Sequence, residues 1–144
     1  MTGTDNFSKI LVAVDGSEYA KKAFEKSIYL AQKCNSKIDL IHVVDDSTYG
    51  GDSATAFELI GDLKEKGADL LKQYKNQAMK NNIVIKTLLE IGDPAQVIVA
   101  VSNKNTYDLI MMGNRGMSTF KELLLGSVSL KVMDHARCPV MIVK

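Results

Sequence analysis

The chain has 144 residues, of which 46% are apolar and 24% are charged, and its formal net charge is +1. This composition is typical of one globular domain and differs from that of disordered chains. A net charge so close to zero excludes a strong electrostatic field that would gather nucleic acid or a membrane surface. We therefore expect neither kind of partner.

The N-terminal residues and the cysteines indicate the cellular compartment of the protein. Residues 1–8 are polar and do not resemble a signal peptide, and no apolar run approaches membrane-spanning length. Cys34 and Cys138 lie far apart, without a CxxC pattern or histidines at metal spacing. Reduced, packed thiols are favoured, although a disulfide between them stays open as the alternative. We expect a cytoplasmic protein.

Apolar runs and helical periodicity alternate along the whole chain. Short, nearly continuous apolar runs predict five strands, at 9–15, 38–44, 83–89, 107–112 and 139–143. Apolar residues at helical spacing predict four helices, at 17–34, 57–78, 93–102 and 127–135. The polar, glycine-containing stretch 45–55 predicts a mobile loop. This alternation predicts one α/β domain with a parallel sheet and helices on both faces.

Two local patterns are more specific. Asp93, Pro94 and Gln96 form a helix start, with an N-cap, a proline in the first position and an amide three residues after the cap. Lys86 and Thr87 interrupt the third apolar run, which is typical of a strand at the edge of a sheet.

Two close glycines follow the fourth predicted strand. Without a Cβ, Gly113 and Gly116 let the backbone turn and bring its N–H groups against a ligand, and Arg115 or Ser118 can reach the same anion. The alternative is that these glycines only turn the chain. The Walker A pattern is absent from the sequence.

A further glycine opens the last predicted helix. Gly126 and Ser127 would offer free N–H groups, a hydroxyl and the positive end of the helix dipole to phosphates, with Val128 and Ser129 next in the first turn. A helix start without a ligand is again the alternative. Together the strand, the glycine loop and the helix start predict nucleotide binding.

The spacing of Gly113, Gly116, Gly126 and Ser127 resembles the G-x2-G-x9-G-S signature of the universal stress protein family, in its ATP-binding branch. The resemblance extends over nearly the whole chain, through short similar blocks at 10–17, 40–44, 92–95 and 138–143. The resemblance implies one universal stress protein domain over residues 1–144. It implies an open five-stranded parallel sheet of order 3-2-1-4-5, an adenine nucleotide alpha hydrolase-like fold, and ATP with Mg²⁺ or Mn²⁺ held by its phosphates.

The same resemblance implies roles for residues at the strand ends. Ligands in such sheets bind where the winding reverses, which this strand order puts between strands one and four. There Asp15 would accept hydrogen bonds from the ribose, and Ala13 and Val14 would line the pocket floor. Val43 and Met112 would flank the base. A turn or helix cap is the alternative for Asp15, and core packing is the alternative for Val43 and Met112.

The remaining polar residues give weaker signals. His42, inside an apolar strand, and His135, near a helix end, are expected to be structural. Acids at Asp45, Asp46 and Asp52 could reach a metal but are better explained as solvated loop residues.

The last predicted strand is apolar and ends near the C-terminal residue. The resemblance implies that segment 139–143 pairs antiparallel with its twofold copy and makes a homodimer. Coverage of this strand by the preceding helix or loop is the alternative.

The leading hypothesis is a cytosolic ATP-binding regulator or sensor in the stress response. One alternative is a slow ATPase or nucleotidyl-transfer enzyme on the same fold, for which no general base or nucleophile is evident. Another is an interaction module that binds no nucleotide and keeps the glycines only for folding.

Overall fold

A computed structural model describes residues 6–47, 53–115 and 125–144. Strands and helices alternate along these segments as β1 (Lys9–Ala13), α1 (Glu18–Cys34), β2 (Lys37–Val44), α2 (Ala54–Lys80), β3 (Ile85–Ile91), α3 (Pro94–Asn105), β4 (Leu109–Gly113), α4 (Ser127–His135) and β5 (Val140–Val143). The strands form one sheet in the order β3-β2-β1-β4-β5, and every pair is parallel. The predicted fold class and strand order are confirmed.

Some element boundaries differ from the prediction for identifiable reasons. Helix α2 begins earlier than predicted, because the Ser53 hydroxyl oxygen accepts a hydrogen bond from the Ala56 N–H at 3.1 Å and caps the helix. Strand β3 begins later, because the Ile83 N–H donates to the Ala78 carbonyl at 3.0 Å and so completes the end of α2. Residues 48–52 of the loop predicted at 45–55 lie outside the described residues.

The helices cover the two faces of the sheet in pairs. Ile10 and Val12 of β1 pack under α1 and α2, where the rings of Phe24 and Tyr74 stack with their centroids 4.6 Å apart. On the opposite face, Leu11 packs with residues of α3 and α4. Consecutive strand residues point to opposite faces, so a continuous apolar run serves both cores.

The predicted start of α3 is present in detail. Asp93 is the N-cap, Pro94 is the first helical residue, and Asp93 Oδ1 accepts a hydrogen bond from the Gln96 N–H at 2.9 Å. This cap fixes where the chain leaves β3 and enters the helix.

Strands β3 and β5 form the two edges of the sheet, as predicted for the third strand.

Both Cys34 and Cys138 are free thiols, so the disulfide alternative is wrong. Within the described segments, no helix combines the length and the apolarity that crossing a bilayer requires.

Candidate nucleotide-binding site

Strands β1 and β4 lie side by side at the centre of the sheet, with Val12 paired to Met111. From β1 the sheet continues through β2 to β3 on one side, and from β4 to β5 on the other. The winding therefore reverses between β1 and β4. The crevice beyond their C-terminal ends is where open α/β sheets bind ligands.

The chain turns sharply at the end of β1. After the Val14 N–H donates to the Ile41 carbonyl at 2.9 Å, Gly16 adopts a φ of +86°, which glycine tolerates without strain. Asp15 Oδ1 accepts a hydrogen bond from the Ser17 N–H at 3.0 Å. Asp15 therefore stabilises this turn, which is the alternative role that the sequence left open. It uses one carboxylate oxygen, and Oδ2 has acceptor capacity of its own.

The negative charge of Asp15 also affects the pKa of Tyr74 in α2. Burial, and then the negative charges of Asp15, Glu18 and Glu25, raise the pKa of Tyr74 to about 12. The phenol therefore stays neutral and contributes to the packing between α1 and α2.

His42 has the structural role that its place in an apolar strand predicts. Its Nδ1 lies 2.8 Å from the carbonyl oxygen of Val14, and because a carbonyl only accepts, Nδ1 carries the proton in this bond. The ring packs against α2 at Gly67, where a Cβ would lie only 2.7 Å from His42 Cδ2. Gly67, which weakens the helix by propensity, is needed for this close approach.

The structure brings three of the four apolar residues predicted near the base onto one face. Ala13, Val43 and Met112 all pack in the cluster under α3 and α4, and Met112 is 5% exposed. Val14 belongs to the opposite cluster, because neighbouring side chains in an extended chain alternate in direction. The Val14 side chain therefore lies on the other face of the sheet from Ala13, Val43 and Met112, so any part of Val14 in the predicted pocket floor would be its backbone.

Strand alternation also orients the backbone of Val43. The Ile41 carbonyl bonds towards β1, whereas the Val44 carbonyl accepts from the Gly92 N–H, on the β3 side, at 3.0 Å. The N–H and C=O of Val43 therefore face the same side as those of Ile41. Since β1 ends at Ala13, they face the crevice.

Gly113 is the last residue of β4 and is buried against the first turn of α1. A Cβ at this position would lie 2.7 Å from the Tyr19 carbonyl carbon and 2.9 Å from the Ala20 nitrogen. The Gly113 carbonyl accepts a hydrogen bond from the Ser129 hydroxyl at 2.9 Å. Close helix packing therefore explains this glycine, where the sequence had suggested approach of a phosphate.

Gly126 is the N-cap of α4, and its N–H donates to the Asn114 carbonyl at 2.9 Å. This bond corrects the prediction that the Gly126 amide binds phosphate, because that donor joins the two ends of the segment between β4 and α4. A Cβ at Gly126 would lie 3.0 Å from the Arg115 Cα, so the position is tight for any side chain.

The following amides are arranged differently. The Leu130 N–H donates to the Gly126 carbonyl at 2.9 Å, which is the first bond of the α4 ladder. The N–H groups of Ser127, Val128 and Ser129 precede it and have no intrahelical acceptor. Ser127 is exposed, whereas the buried Ser129 hydroxyl is committed to Gly113, so Ser129 can offer a ligand its amide.

The guanidinium of Arg115 extends to the start of α1. Its Nη2 donates to the Tyr19 hydroxyl oxygen at 3.0 Å, and its Cζ lies 5.3 Å from the centre of the Tyr19 ring. Sequence reasoning missed Tyr19. Its position just after the strand-ending turn of β1, in the first turn of α1, is the signal that could have found it.

Two of the predicted positions are not described by the structure, and a pocket between α3 and α4 lies away from the predicted site. Gly116 and Ser118 are outside the described residues. A pocket of about 460 Å³ between α3 and α4 is lined by Asp93, Ala95, Gln96, Val99, Ala100, Lys131 and His135. None of these residues was predicted for the nucleotide site. In the described part of the chain, no group of three or more His, Cys, Asp or Glu residues is placed to hold a metal ion.

The parallel sheet, its strand order and the crevice at the reversal define a nucleotide alpha hydrolase-like α/β fold. The universal stress protein family model matches residues 6–144. The chain therefore belongs to the universal stress protein family, which confirms the resemblance seen in the sequence.

Relatives in sequence extend over nearly the whole chain. The chain is 37% identical to universal stress protein MJ0531 of Methanocaldococcus jannaschii, over 99% of this chain and 85% of that protein. It is 32% identical to universal stress protein YxiE of Bacillus subtilis, over 96% of this chain and 99% of that protein.

Solved structures give the same result for the fold. The hypothetical protein MJ0577 superimposes with a TM-score of 0.87 at 28% identity, covering 96% of each chain. A universal stress protein family protein from Arabidopsis thaliana, solved with AMP bound, superimposes with a TM-score of 0.71 at 27% identity. That match covers 95% of this chain and 91% of the plant chain.

Proposed function

We propose that this chain, as one universal stress protein domain over residues 1–144, binds ATP in the crevice between β1 and β4 and acts as a cytosolic nucleotide-dependent regulator or sensor in the stress response. The observation that carries the proposal is the first turn of α4. Its amides at Ser127, Val128 and Ser129 lack intrahelical acceptors and follow an N-cap that is bonded to the end of β4. The AMP-bound Arabidopsis relative supports an adenine nucleotide as the ligand class.

The base and ribose would occupy the strand ends. The apolar surface of Ala13, Val43 and Met112 suits an adenine ring, and the main-chain groups of Val43 provide one donor and one acceptor for its polar edge. The Asp15 carboxylate suits the ribose hydroxyls, because its Oδ2 can accept while Oδ1 holds the Ser17 amide.

The phosphates would lie at the α4 end of the crevice. The amides of Ser127 to Ser129 and the Ser127 hydroxyl would hold the distal phosphates, with the Arg115 guanidinium beside them and Gly116 completing the loop. Hydrogen bonds to charged groups contribute about 1.5–3 kcal/mol each, so a few suffice for a triphosphate. Mg²⁺ or Mn²⁺ would be held by phosphate oxygens and water, since the amide and hydroxyl donors at this site bind anions.

A titration of the purified chain with ATP, followed by calorimetry, tests the site. We expect binding, and Ser127→Ala should weaken it about 10- to 100-fold through loss of one hydroxyl–phosphate bond. Ser8→Ala is a matched control, because Ser8 is exposed just before β1, at the end of the sheet opposite the crevice. Absence of ATP binding at millimolar concentration would contradict the proposal.

We further propose a homodimer through segment 139–143. Strand β5 is an edge strand in which the carbonyls of Pro139 and Val143 bond to β4, so the main-chain groups of Val140 and Ile142 face outwards. Ile142→Pro removes one outward N–H without removing a bond to β4. We expect it to shift the protein from dimer to monomer in analytical ultracentrifugation with an unchanged circular dichroism spectrum. A wild-type monomer at all concentrations would refute the dimer.

A further inference from the structure

The Arg115 residue lies close to the N-terminal ends of two helices, α1 and α4. At one end of this residue, its Cα lies 3.0 Å from the position a Cβ would take at Gly126, the N-cap of α4. At the other end, its Nη2 reaches Tyr19, the second residue of α1. This residue therefore spans from the start of α4 to the start of α1.

Tyr19 holds the guanidinium in this place by two contacts. Its hydroxyl oxygen accepts from Nη2 at 3.0 Å, and its ring faces Cζ at 5.3 Å. The Tyr19 backbone and Cβ pack directly against Gly113, which fixes the point from which the ring extends. A hydroxyl that accepts from Arg115 still has its own proton to donate.

We propose that Tyr19 is a positioning residue of the phosphate site. Tyr19 holds Arg115 between the first turns of α1 and α4, so that the Arg115 guanidinium binds the distal phosphates of the nucleotide. The inference rests on the proposed function, and it deepens that proposal by naming what distinguishes ATP from AMP. A guanidinium that is already oriented loses less side-chain freedom when the phosphate chain binds. The distal phosphates are the part of ATP that AMP lacks.

The test is a comparison of ATP and AMP affinities in matched tyrosine variants. Tyr19→Phe keeps the ring and removes the hydroxyl, and we expect about 3- to 10-fold weaker ATP binding with less than about twofold change for AMP. Tyr19→Leu, which also removes the ring, should weaken ATP binding further. Tyr29→Phe is the control, because Tyr29 lies on the same helix with Lys33 5.6 Å from its ring centre and is 59% exposed.

A double-mutant cycle tests whether Tyr19 acts on ATP binding through Arg115. In an Arg115→Met background, Tyr19→Phe should have little further effect on ATP affinity, because the group that it positions is already gone. Additive effects, or equal losses for ATP and AMP, would overturn the inference and leave Tyr19 as a packing residue. Thermal unfolding without nucleotide shows whether each variant is folded. If the wild type binds neither nucleotide, the proposed function fails first, and this inference with it; if the wild type binds ATP and Tyr19→Phe is unchanged, only this inference fails.

Discussion

Substitution of Gly113 tests the packing between β4 and α1, on which the position of the crevice depends. In Gly113→Ala the new Cβ would lie 2.7 Å from the carbonyl carbon and the Cβ of Tyr19 and 2.9 Å from the Ala20 nitrogen. Carbon atoms in good contact are about 3.5–4.0 Å apart, so the overlap is roughly 1 Å. Two of these three atoms belong to the backbone and cannot rotate away.

The expected effect is a loss of stability. Overpacking of this kind costs about 1–3 kcal/mol, and the smaller conformational freedom of alanine in the unfolded chain returns about 0.4–1 kcal/mol. We therefore expect Gly113→Ala to lower the free energy of unfolding by about 1–2 kcal/mol. Urea denaturation followed by circular dichroism measures this change.

Gly61 provides a control for which the expected change in the free energy of unfolding has the opposite sign. Gly61 is exposed within α2, and a Cβ there would meet no atom within 4 Å. Gly61→Ala should raise the free energy of unfolding by about 0.5–1 kcal/mol, because alanine is the better helix former. If both variants stabilise the protein, or if Gly113→Ala is as stable as the wild type, the packing argument is refuted.

The remaining predictions concern buried and capping side chains. Tyr107→Phe removes the 2.6 Å hydrogen bond that Tyr107 donates to the buried Asp39 carboxylate. We expect urea denaturation at pH 7 to show a loss of about 1–3 kcal/mol. Burial and then the bond to Asp39 raise the pKa of Tyr107 above the ordinary value of 10.0, so ionisation favours the unfolded state from pH 10 upwards. The free energy of unfolding should therefore fall as pH rises above 10, less steeply in Tyr107→Phe, and parallel profiles for the two proteins would contradict this assignment. Asp93→Ala removes the acceptor of the Gln96 N–H at the start of α3 and should lower the midpoint of thermal unfolding through a loss of about 1 kcal/mol, whereas an unchanged midpoint would show that water replaces the cap.

The architecture could be predicted from the sequence because each local signal agrees with the global fold. The apolar run of β1 predicts burial on both faces, and Ile10 and Leu11 are fully buried on opposite faces. The start of α3 could be placed within a residue, because the cap and the proline have specific backbone requirements.

The roles of single site residues were harder to predict, because they depend on contacts between distant parts of the chain. The glycine at position 113 is explained by the approach of α1, which lies far away in sequence. The amide of Gly126 is bonded to Asn114, a partner that no spacing rule identifies. The direction of the Val14 side chain follows from alternation along the strand and could have been predicted had the residues been assigned to faces.

The bond between Gly126 and Asn114 has a consequence for how the chain tolerates change. The backbone leaves the sheet at Asn114 and returns to the same place at Gly126, where a second bond, from the Asn114 N–H to the Val143 carbonyl at 2.8 Å, fastens it to β5. Both bonds use main-chain groups of Asn114, so they do not depend on its side chain. Any residue except proline at position 114 would therefore keep the junction of β4, α4 and β5 intact.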